Sequence, residues 1–401
     1  MNKNSMKILY CSKVGIELNN STGGQLLRVE SSLEVLKKIS TVDIVSRNAR
    51  FFDSKNNTLI KKNIFYAPSV RRKIKKIKFI KGIVWRIKEK FYLKKDAEFI
   101  VNLYRKKNYR CLWISYASQC FDLIKEIKKI DKNIKIIADT DSVFHSFIQR
   151  QIPYVNFFKK IYLKFYFLFY KKIECEMLKI ADVVTAVSEF DAKVFRKLYL
   201  TSNIFIFRNV VSKKKIKKRK DKNFNIIISG TFGAKSSPMN ISTRWFLKKI
   251  YPLIKDKVKK LKIYIIGMHS NKEFKSSKKN DIIVKGWVKN ITYFFGLADL
   301  AAVPLKYESG TRFKILEAGL YKIAIISTTL GAEGLKYVNN KDIMIEDSAD
   351  KFAAKIVYLS NNKNIRNRLI KNNYKNILNN YSTHVLTKDA IKIFKYLNKK
   401  N

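Results

Sequence analysis

The residues of this chain best suited to chemistry lie in ESGTRFKILEAGLYKIAIISTTLGAEGL, residues 308–335, where Gly310 and Thr311 precede Arg312, Phe313 and Lys314, and Glu317 follows. A Gly-Thr pair at a helix start presents backbone N–H groups and the positive end of the helix dipole, an arrangement that binds diphosphates. Arg312 and Lys314 add cationic donors beside that point. Glu317 projects from a neighbouring face of the same helix, three residues after Lys314, where a carboxylate can accept hydrogen bonds from ribose hydroxyls. An ordinary surface helix start, with Arg312 and Glu317 solvated and Gly310 a turn, fits the same residues. The pattern alone leaves both readings open.

A second polar group sits in IADTDSVFHSF, residues 137–147, where Asp139, Asp141 and His145 follow an expected strand. That is the edge at which α/β sheets bind ligands, so the loop is suited to touch a substrate. Asp139 capping a helix and His145 packed in the core are the plainer alternatives.

Elements that can position these groups alternate along the whole chain. Ile8–Cys11, Val42–Ser46, Cys111–Ser115 and Ile134–Ala138 read as strands of a first unit, which Ile204–Phe207 extends. After the charged run Lys213–Lys222, read as a linker or exposed loop, a second series follows: Asn225–Ser229, Lys262–Ile266, Ile282–Val284, Leu300–Val303, Ile323–Ser327 and Ile343–Ile345. Arg244–Ile254, Phe313–Leu320 and Ala349–Leu359 carry apolar residues three and four apart, as a helix face requires. Short apolar runs alternating with helices predict parallel sheets covered by helices: α/β, two Rossmann-like domains facing each other across a cleft. The expected division is 1–205, 206–380 and a terminal helix over 381–401 that packs back on the first domain.

The chain's 401 residues allow two domains, and 46% hydrophobic residues exclude disorder. Lys and Arg total 84 against 31 Asp and Glu, a formal charge of +53 that calls for acidic partners: nucleic acid, an anionic leaflet or phosphorylated small molecules. Abundant Lys, Asn and Ile throughout, as a bias in the coding DNA produces, accounts for part of that excess. Cys11, Cys111, Cys120 and Cys175 lack zinc-like spacing and are too sparse for a disulfide framework, which fits a reducing cytosol. With only His145, His269 and His384, no histidine-rich metal site is expected. The opening residues read as a first strand rather than a signal segment. The most apolar stretch, Ile161–Tyr170, is interrupted by Lys164 and falls short of the roughly 20 residues that span a bilayer.

The motif over residues 310–335 resembles the nucleotide-sugar motif of glycosyltransferase family 4, the retaining GT-B enzymes among the group 1 glycosyl transferases. IISGTFGAKSSPMNISTRWFLKKIYPLI, LKIYIIGMHS and IIVKGWVKNITYFFGLADLAAVPL precede it in that family's order. In the first half, STGGQLLRVESSLEVLKK resembles the family's glycine-rich loop and helix, and ADVVTAVSEFDAKVFRKLY the strand and helix that close its acceptor domain. The resemblance covers most of the chain and is weakest over residues 48–131.

The resemblance implies a GT-B fold and retention at the anomeric carbon by a front-face route. It further implies that Glu317 binds the donor ribose, and that Arg312, Lys314 and the backbone at Gly310 and Thr311 hold the diphosphate. Gly23 and Gly24 let the first loop approach the donor, and Asn209 marks the interdomain crossover; the loop with Asp139 and His145, by its place at the strand edge, is the one suited to touch sugar or acceptor. Two positions depart from the family pattern: Ser309 stands where many members have a first glutamate, with Glu308 one place off, and Thr231 replaces an arginine, leaving Lys235 as the nearby cation. The implied partners are a nucleotide-sugar co-substrate and a glycan or lipid-linked acceptor, with no cofactor, no metal and no specific nucleic acid.

Two basic, aromatic segments predict an anionic membrane surface as a further partner, and hence a cytoplasmic chain peripheral on the inner face of the cell membrane. In Val70–Lys95, the residues Val70, Ile74, Ile77, Ile80, Val84, Ile87 and Phe91 follow helical spacing among lysines and arginines. Phe157–Lys172 mixes rings with lysines as interfacial anchors do. Each can equally pack one face on its own domain. The function expected is transfer of a sugar to a membrane-surface acceptor in cell-envelope polysaccharide synthesis. A basic nucleic-acid-binding protein and a GT-B nucleotide-sugar epimerase are the alternatives.

Overall fold

The structure is a computed structural model. It describes residues 6–12, 24–47, 64–71, 83–211, 216–219, 221–277, 279 and 281–399, with only the backbone at 70–71 and 83–90. Gly23, most of the Val70–Phe91 helical spacing and part of the Lys213–Lys222 run therefore lie outside the described residues or side chains. The chain divides into two compact units: Met1–Phe144 with Leu168–Asn209 and Leu386–Asn401, and His145–Phe167 with Val210–Val385.

From the N-terminus the elements are β1 (Lys7–Ser12), α1 (Gly24–Ile39), β2 (Thr41–Ser46), β3 (Ile64–Tyr66), α2 (Ile83–Lys106), β4 (Cys111–Ser115), α3 (Phe121–Ile130), β5 (Ile136–Asp139), α4 (Phe144–Gln151), α5 (Phe157–Ile180), β6 (Val183–Ala186), α6 (Glu189–Leu198) and β7 (Ile204–Ile206). The seven strands form one parallel sheet in the order β3-β2-β1-β4-β5-β6-β7. CLWIS and VVTA are buried at every position, as central strands covered on both faces must be. The winding reverses between β1 and β4, which makes their C-terminal ends a topological switch point.

The second series is β8 (Phe224–Ser229), α7 (Pro238–Trp245), α8 (Tyr251–Ile254), β9 (Leu261–Ile266), α9 (Ser270–Glu273), β10 (Ile282–Gly286), α10 (Ile291–Leu297), β11 (Leu300–Val303), α11 (Phe313–Leu320), β12 (Ala324–Ser327), α12 (Thr329–Ala332), β13 (Met344–Ile345), α13 (Ala349–Asn361), α14 (Lys363–Asn380) and α15 (Thr383–Lys399). Its parallel sheet runs β10-β9-β8-β11-β12-β13, with the switch between β8 and β11.

The helix expected over 244–254 begins earlier and is broken. Ser237 caps α7 by accepting from the Asn240 amide, with Pro238 in the first turn, and a π-helical turn over Phe246–Ile250 separates α7 from α8. Pro252 has no N–H to give the carbonyl four residues back, and the wide turn absorbs that loss. The charged run is not wholly detached either. Ile216 packs against the second core, and the Arg219 amide donates to the Gly296 carbonyl at 3.0 Å.

Within the first unit, α15 sets Phe394 edge-on to Trp113 and Tyr396 against Phe205, while its Asp389 pairs with Arg208 at 3.1 Å. Among the described residues no helix is long and apolar enough to cross a membrane.

Candidate functional site

In a doubly wound sheet, ligands bind beyond the strand C-termini at the switch point. In the second unit two loops meet there: residues 230–237 after β8 and 304–312 after β11. Helix α7 staples them together. Its Ser242 hydroxyl accepts from the Lys306 amide at 3.1 Å, and Asn240 Nδ2 donates to the carbonyls of Gly233 and Ala234 at 3.1 and 2.8 Å. The buried Tyr307 phenol closes the pair by donating to the Ser236 carbonyl. Gly267, at the end of β9, holds φ +141°, and a Cβ there would lie 1.7 Å from the Gly230 carbonyl oxygen, so only glycine lets the end of β9 pack against the start of the 230–237 loop.

The motif residues come together at this edge. Gly310 takes φ +74°, a left-handed conformation that turns the chain into α11. Thr311 and Arg312 are buried, and Arg312 Nη2 donates to the Leu330 carbonyl in α12 at 3.1 Å. The Lys314 ammonium lies 3.3 Å from the Met239 sulfur. Burial lowers its pKa below the ordinary lysine value and Arg312 acts in the same sense, while Glu308 and Glu317 oppose the shift. Glu317 is half-buried on the same helix. One carboxylate oxygen of Glu308 accepts from the Ser309 amide at 3.3 Å. Lys235 is exposed on the facing loop. The arrangement offers a helix N-terminus, a partly buried lysine and a carboxylate along one edge, a set suited to a diphosphate and an adjoining diol.

The second unit also contains residues 145–167, and these clasp the 304–312 loop. Arg150 donates from Nη1 to the Glu308 carbonyl at 2.8 Å, and from Nη1 and Nη2 to the two carboxylate oxygens of Glu333 at 2.6 and 2.9 Å. Tyr154 stacks on Tyr307 at 5.0 Å, and its hydroxyl donates to the Lys306 carbonyl at 3.1 Å. His145 is buried edge-on to Phe167, ring centroids 5.8 Å apart.

At the C-terminal end of β5, one strand along from the first unit's switch point, Asp139 is 1% exposed and accepts from Arg28 at 2.5 Å and from the Thr185 hydroxyl at 2.6 Å on one oxygen. Arg28, on α1, also donates to Asn209 Oδ1 at 2.7 Å and to the Phe207 carbonyl at 3.2 Å. Asp139 and Asn209 therefore belong to one buried polar cluster that ties α1, β5, β6 and residues 207–209 together. Gly24 is the exposed first residue of α1. Tyr116 reaches the same helix through its hydroxyl, 2.9 Å from the Gln25 carbonyl.

Sequence reasoning missed Arg28, Arg150, Tyr154, Tyr307 and Glu333. For Arg28 a faint signal exists: an arginine one turn into a helix, between Leu27 and Val29, on a face that otherwise carries apolar and small residues. For the others the partners are far apart in sequence and no periodicity marks them. Among the described residues no cluster of three or more His, Cys, Asp or Glu side chains is placed to hold a metal ion.

Residues 224–362, which hold the 230–237 and 304–312 loops, match the family model described as "Glycosyl transferases group 1". No curated protein sequence matches the chain. Among solved structures, a glycosyltransferase from Rickettsia africae ESF-5 is similar over 100% of both chains, with TM-score 0.65 and 17% identity. HepE from Anabaena in complex with UDP-glucose is similar over 98% of this chain and 100% of its own, at TM-score 0.62 and 11% identity. A lipopolysaccharide outer core galactosyltransferase, WaaB, is similar over 97% and 99%, at TM-score 0.58 and 14% identity. Each parallel sheet is thus of the kind that GT-B enzymes carry, and with the group 1 pattern on the sheet that holds the motif, the chain is a glycosyltransferase.

Proposed function

We propose that the chain moves a sugar, with retention, from a nucleotide-sugar donor to a glycan or lipid-linked acceptor at a membrane surface, in the assembly of a cell-envelope polysaccharide. The observation that carries this reading is the meeting of Gly310, Lys314 and Glu317 at the β8/β11 switch point, inside the group 1 pattern. Glu317 accepts the donor ribose hydroxyls. The N–H groups at Gly310 and Thr311, with Lys314, receive the diphosphate, and Lys235 reaches it from the facing loop. Arg312 contributes its charge from a buried position fixed by Leu330, through the field rather than through direct contact.

Catalysis in this reading is stabilisation of the leaving diphosphate by donors already in place, together with alignment of the acceptor. The leaving phosphate oxygen takes the acceptor proton as the new glycosidic bond forms on the face from which the donor bond breaks, so no protein nucleophile and no metal enter the scheme. Asp139 acts through Arg28, setting α1, which begins at Gly24. His145 shapes the segment that carries Arg150. HepE, holding UDP-glucose, and the lipopolysaccharide galactosyltransferase support the donor class and the envelope setting. The proposed location is the cytoplasmic face of the cell membrane.

A ligand that binds the folded state raises its stability by RT ln(1 + [L]/Kd), so thermal melting against UDP-, GDP-, ADP- and dTDP-sugars tests the donor site. The reading expects a shift with one nucleotide class that Glu317→Ala abolishes. No shift with any of them, beside a salt-sensitive shift with RNA, overturns it.

A further inference from the structure

Helix α5 carries an apolar face that stands exposed among the described residues. Phe157, Phe158, Ile161, Tyr162, Phe165, Leu168 and Phe169 are exposed, from 43% at Ile161 to 82% at Phe158. At about 100° per residue these seven positions fall within an arc of about 140° on the helix surface. The opposite side of the same helix carries Leu163, Glu174, Met177 and Leu178, all buried. The helix is therefore seated on the protein by one side and presents phenylalanines, tyrosine and aliphatic side chains on the other.

The charges around this stripe select its occupant. Lys159, Lys160, Lys164, Lys171 and Lys172 lie in the same stretch, and no acidic residue occurs between Phe157 and Ile173. By helical position Lys164 and Lys171 border the stripe on one side and Lys159 on the other, where long side chains can reach headgroups while the rings enter the interface. Tyr162 has an apolar ring and a polar tip, the form enriched at membrane interfaces. A second copy of the chain would have to bring its own five lysines against these. Nucleic acid would leave Ile161 and Leu168, the aliphatic members of the stripe, with nothing to stack on.

We infer that α5 is a monotopic docking helix, which lays the face from Phe157 to Phe169 into the headgroup boundary of a membrane containing anionic lipid. This deepens the membrane-acceptor reading above and rests on it for its purpose, but the docking itself needs neither donor nor acceptor.

The test is co-sedimentation of the full chain, free of nucleotide sugar, with vesicles of phosphatidylcholine alone and of phosphatidylcholine mixed with phosphatidylglycerol. The chain is expected to partition onto the mixed vesicles at least tenfold better, and Phe158→Ser/Phe165→Ser is expected to lower that partition by roughly tenfold or more. Lys164→Gln/Lys171→Gln should remove most of the preference for anionic lipid and flatten its salt dependence. Both variants change exposed side chains, so unchanged melting in buffer, and an unchanged melting shift with nucleotide sugar, verify that fold and donor site survive. Wild-type protein that stays in the supernatant with both vesicles overturns the inference, as does a serine variant that sediments like wild type. So does light scattering that shows a dimer which the serine variant converts to a monomer, or RNA that strips wild-type protein from the vesicles. A chain that docks but transfers no sugar, or transfers to a soluble acceptor without docking, separates this inference from the enzymatic one.

Discussion

Arg150 and Glu333 form a two-pronged ion pair, at 2.6 and 2.9 Å, whose guanidinium also holds the Glu308 carbonyl at 2.8 Å. The pair fixes the middle of the 304–312 loop, which delivers Gly310 to the start of α11, and the Tyr154–Tyr307 stack fixes the residue just before Glu308. A planar fork matched to a carboxylate sets geometry as well as energy, which lysine cannot reproduce.

Arg150→Lys is accordingly expected to keep the fold but raise the KM for donor severalfold, with kcat less affected. The pair is partly exposed, so its coupling in a double-mutant cycle of Arg150→Ala and Glu333→Ala should be about 1 kcal/mol in stability. Steady-state kinetics and urea melts on the four proteins check both numbers. A fall in kcat alone, with KM unchanged, contradicts a role in shaping the donor loop.

The buried cluster in the first unit predicts a different signature. Asp139→Ala leaves the Arg28 guanidinium buried without its carboxylate, a change that costs about 3–5 kcal/mol when such a pair is broken from one side. Arg28→Met/Asp139→Leu, which removes both charges, should recover much of that loss without recovering activity. Denaturant unfolding of the single and double variants measures it. A double variant no more stable than Asp139→Ala contradicts the pairing as the source of the cost.

Lys314 gives a pH dependence with a definite sign. Its folded pKa lies below the ordinary value of 10.5, chiefly through burial, so between the depressed value and 10.5 the unfolded chain binds more protons than the folded one. Stability from this residue therefore rises with pH across that window. Lys314→Met should melt higher than wild type below the window, and the difference should shrink as pH climbs through it. Donor affinity should move the opposite way, falling as the ammonium that meets the diphosphate is lost. Melting curves and donor titrations over the same pH series check the two trends. A wild-type to Met difference constant with pH contradicts the assignment.

Much of this frame was legible in the residues, for physical reasons. Cys111–Ser115, Leu300–Val303 and Phe313–Leu320 begin and end where the sequence places them, because continuous apolar runs and a three-four apolar spacing are local signals. The Gly310–Glu317 segment was readable for the same reason: its members are successive residues of one loop and one helix. Arg28 with Asp139, 111 positions apart, and Arg150 with Glu333, 183 apart, were not. Their meaning depends on which strand ends the sheet order brings together, and no single window of sequence holds that order. The π-helical turn at Phe246–Ile250 escaped because its apolar spacing still fits a straight helix, while Pro252, two residues beyond, alone marks the disturbance.

The face of α5 makes one further contrast with that core. Phe158→Ser or Phe165→Ser should change the melting temperature by no more than a degree or two, since neither ring is packed in the fold. Phe195→Ser, in the core of the first unit, should lower stability by about 3–5 kcal/mol. Differential scanning calorimetry separates the two classes. A large loss from either exposed position contradicts the reading of that face as exposed.

Acceptor-dependent release of nucleoside diphosphate tests the central claim most directly. Purified protein is mixed with the nucleotide sugar that shifts its melting, with and without a membrane extract as acceptor source, alongside Glu317→Ala. The account predicts release that requires the extract, a sugar recovered in the lipid or glycan fraction with its anomeric configuration retained, and neither with the variant. Diphosphate released equally without acceptor, or at the same rate by Glu317→Ala, would contradict it.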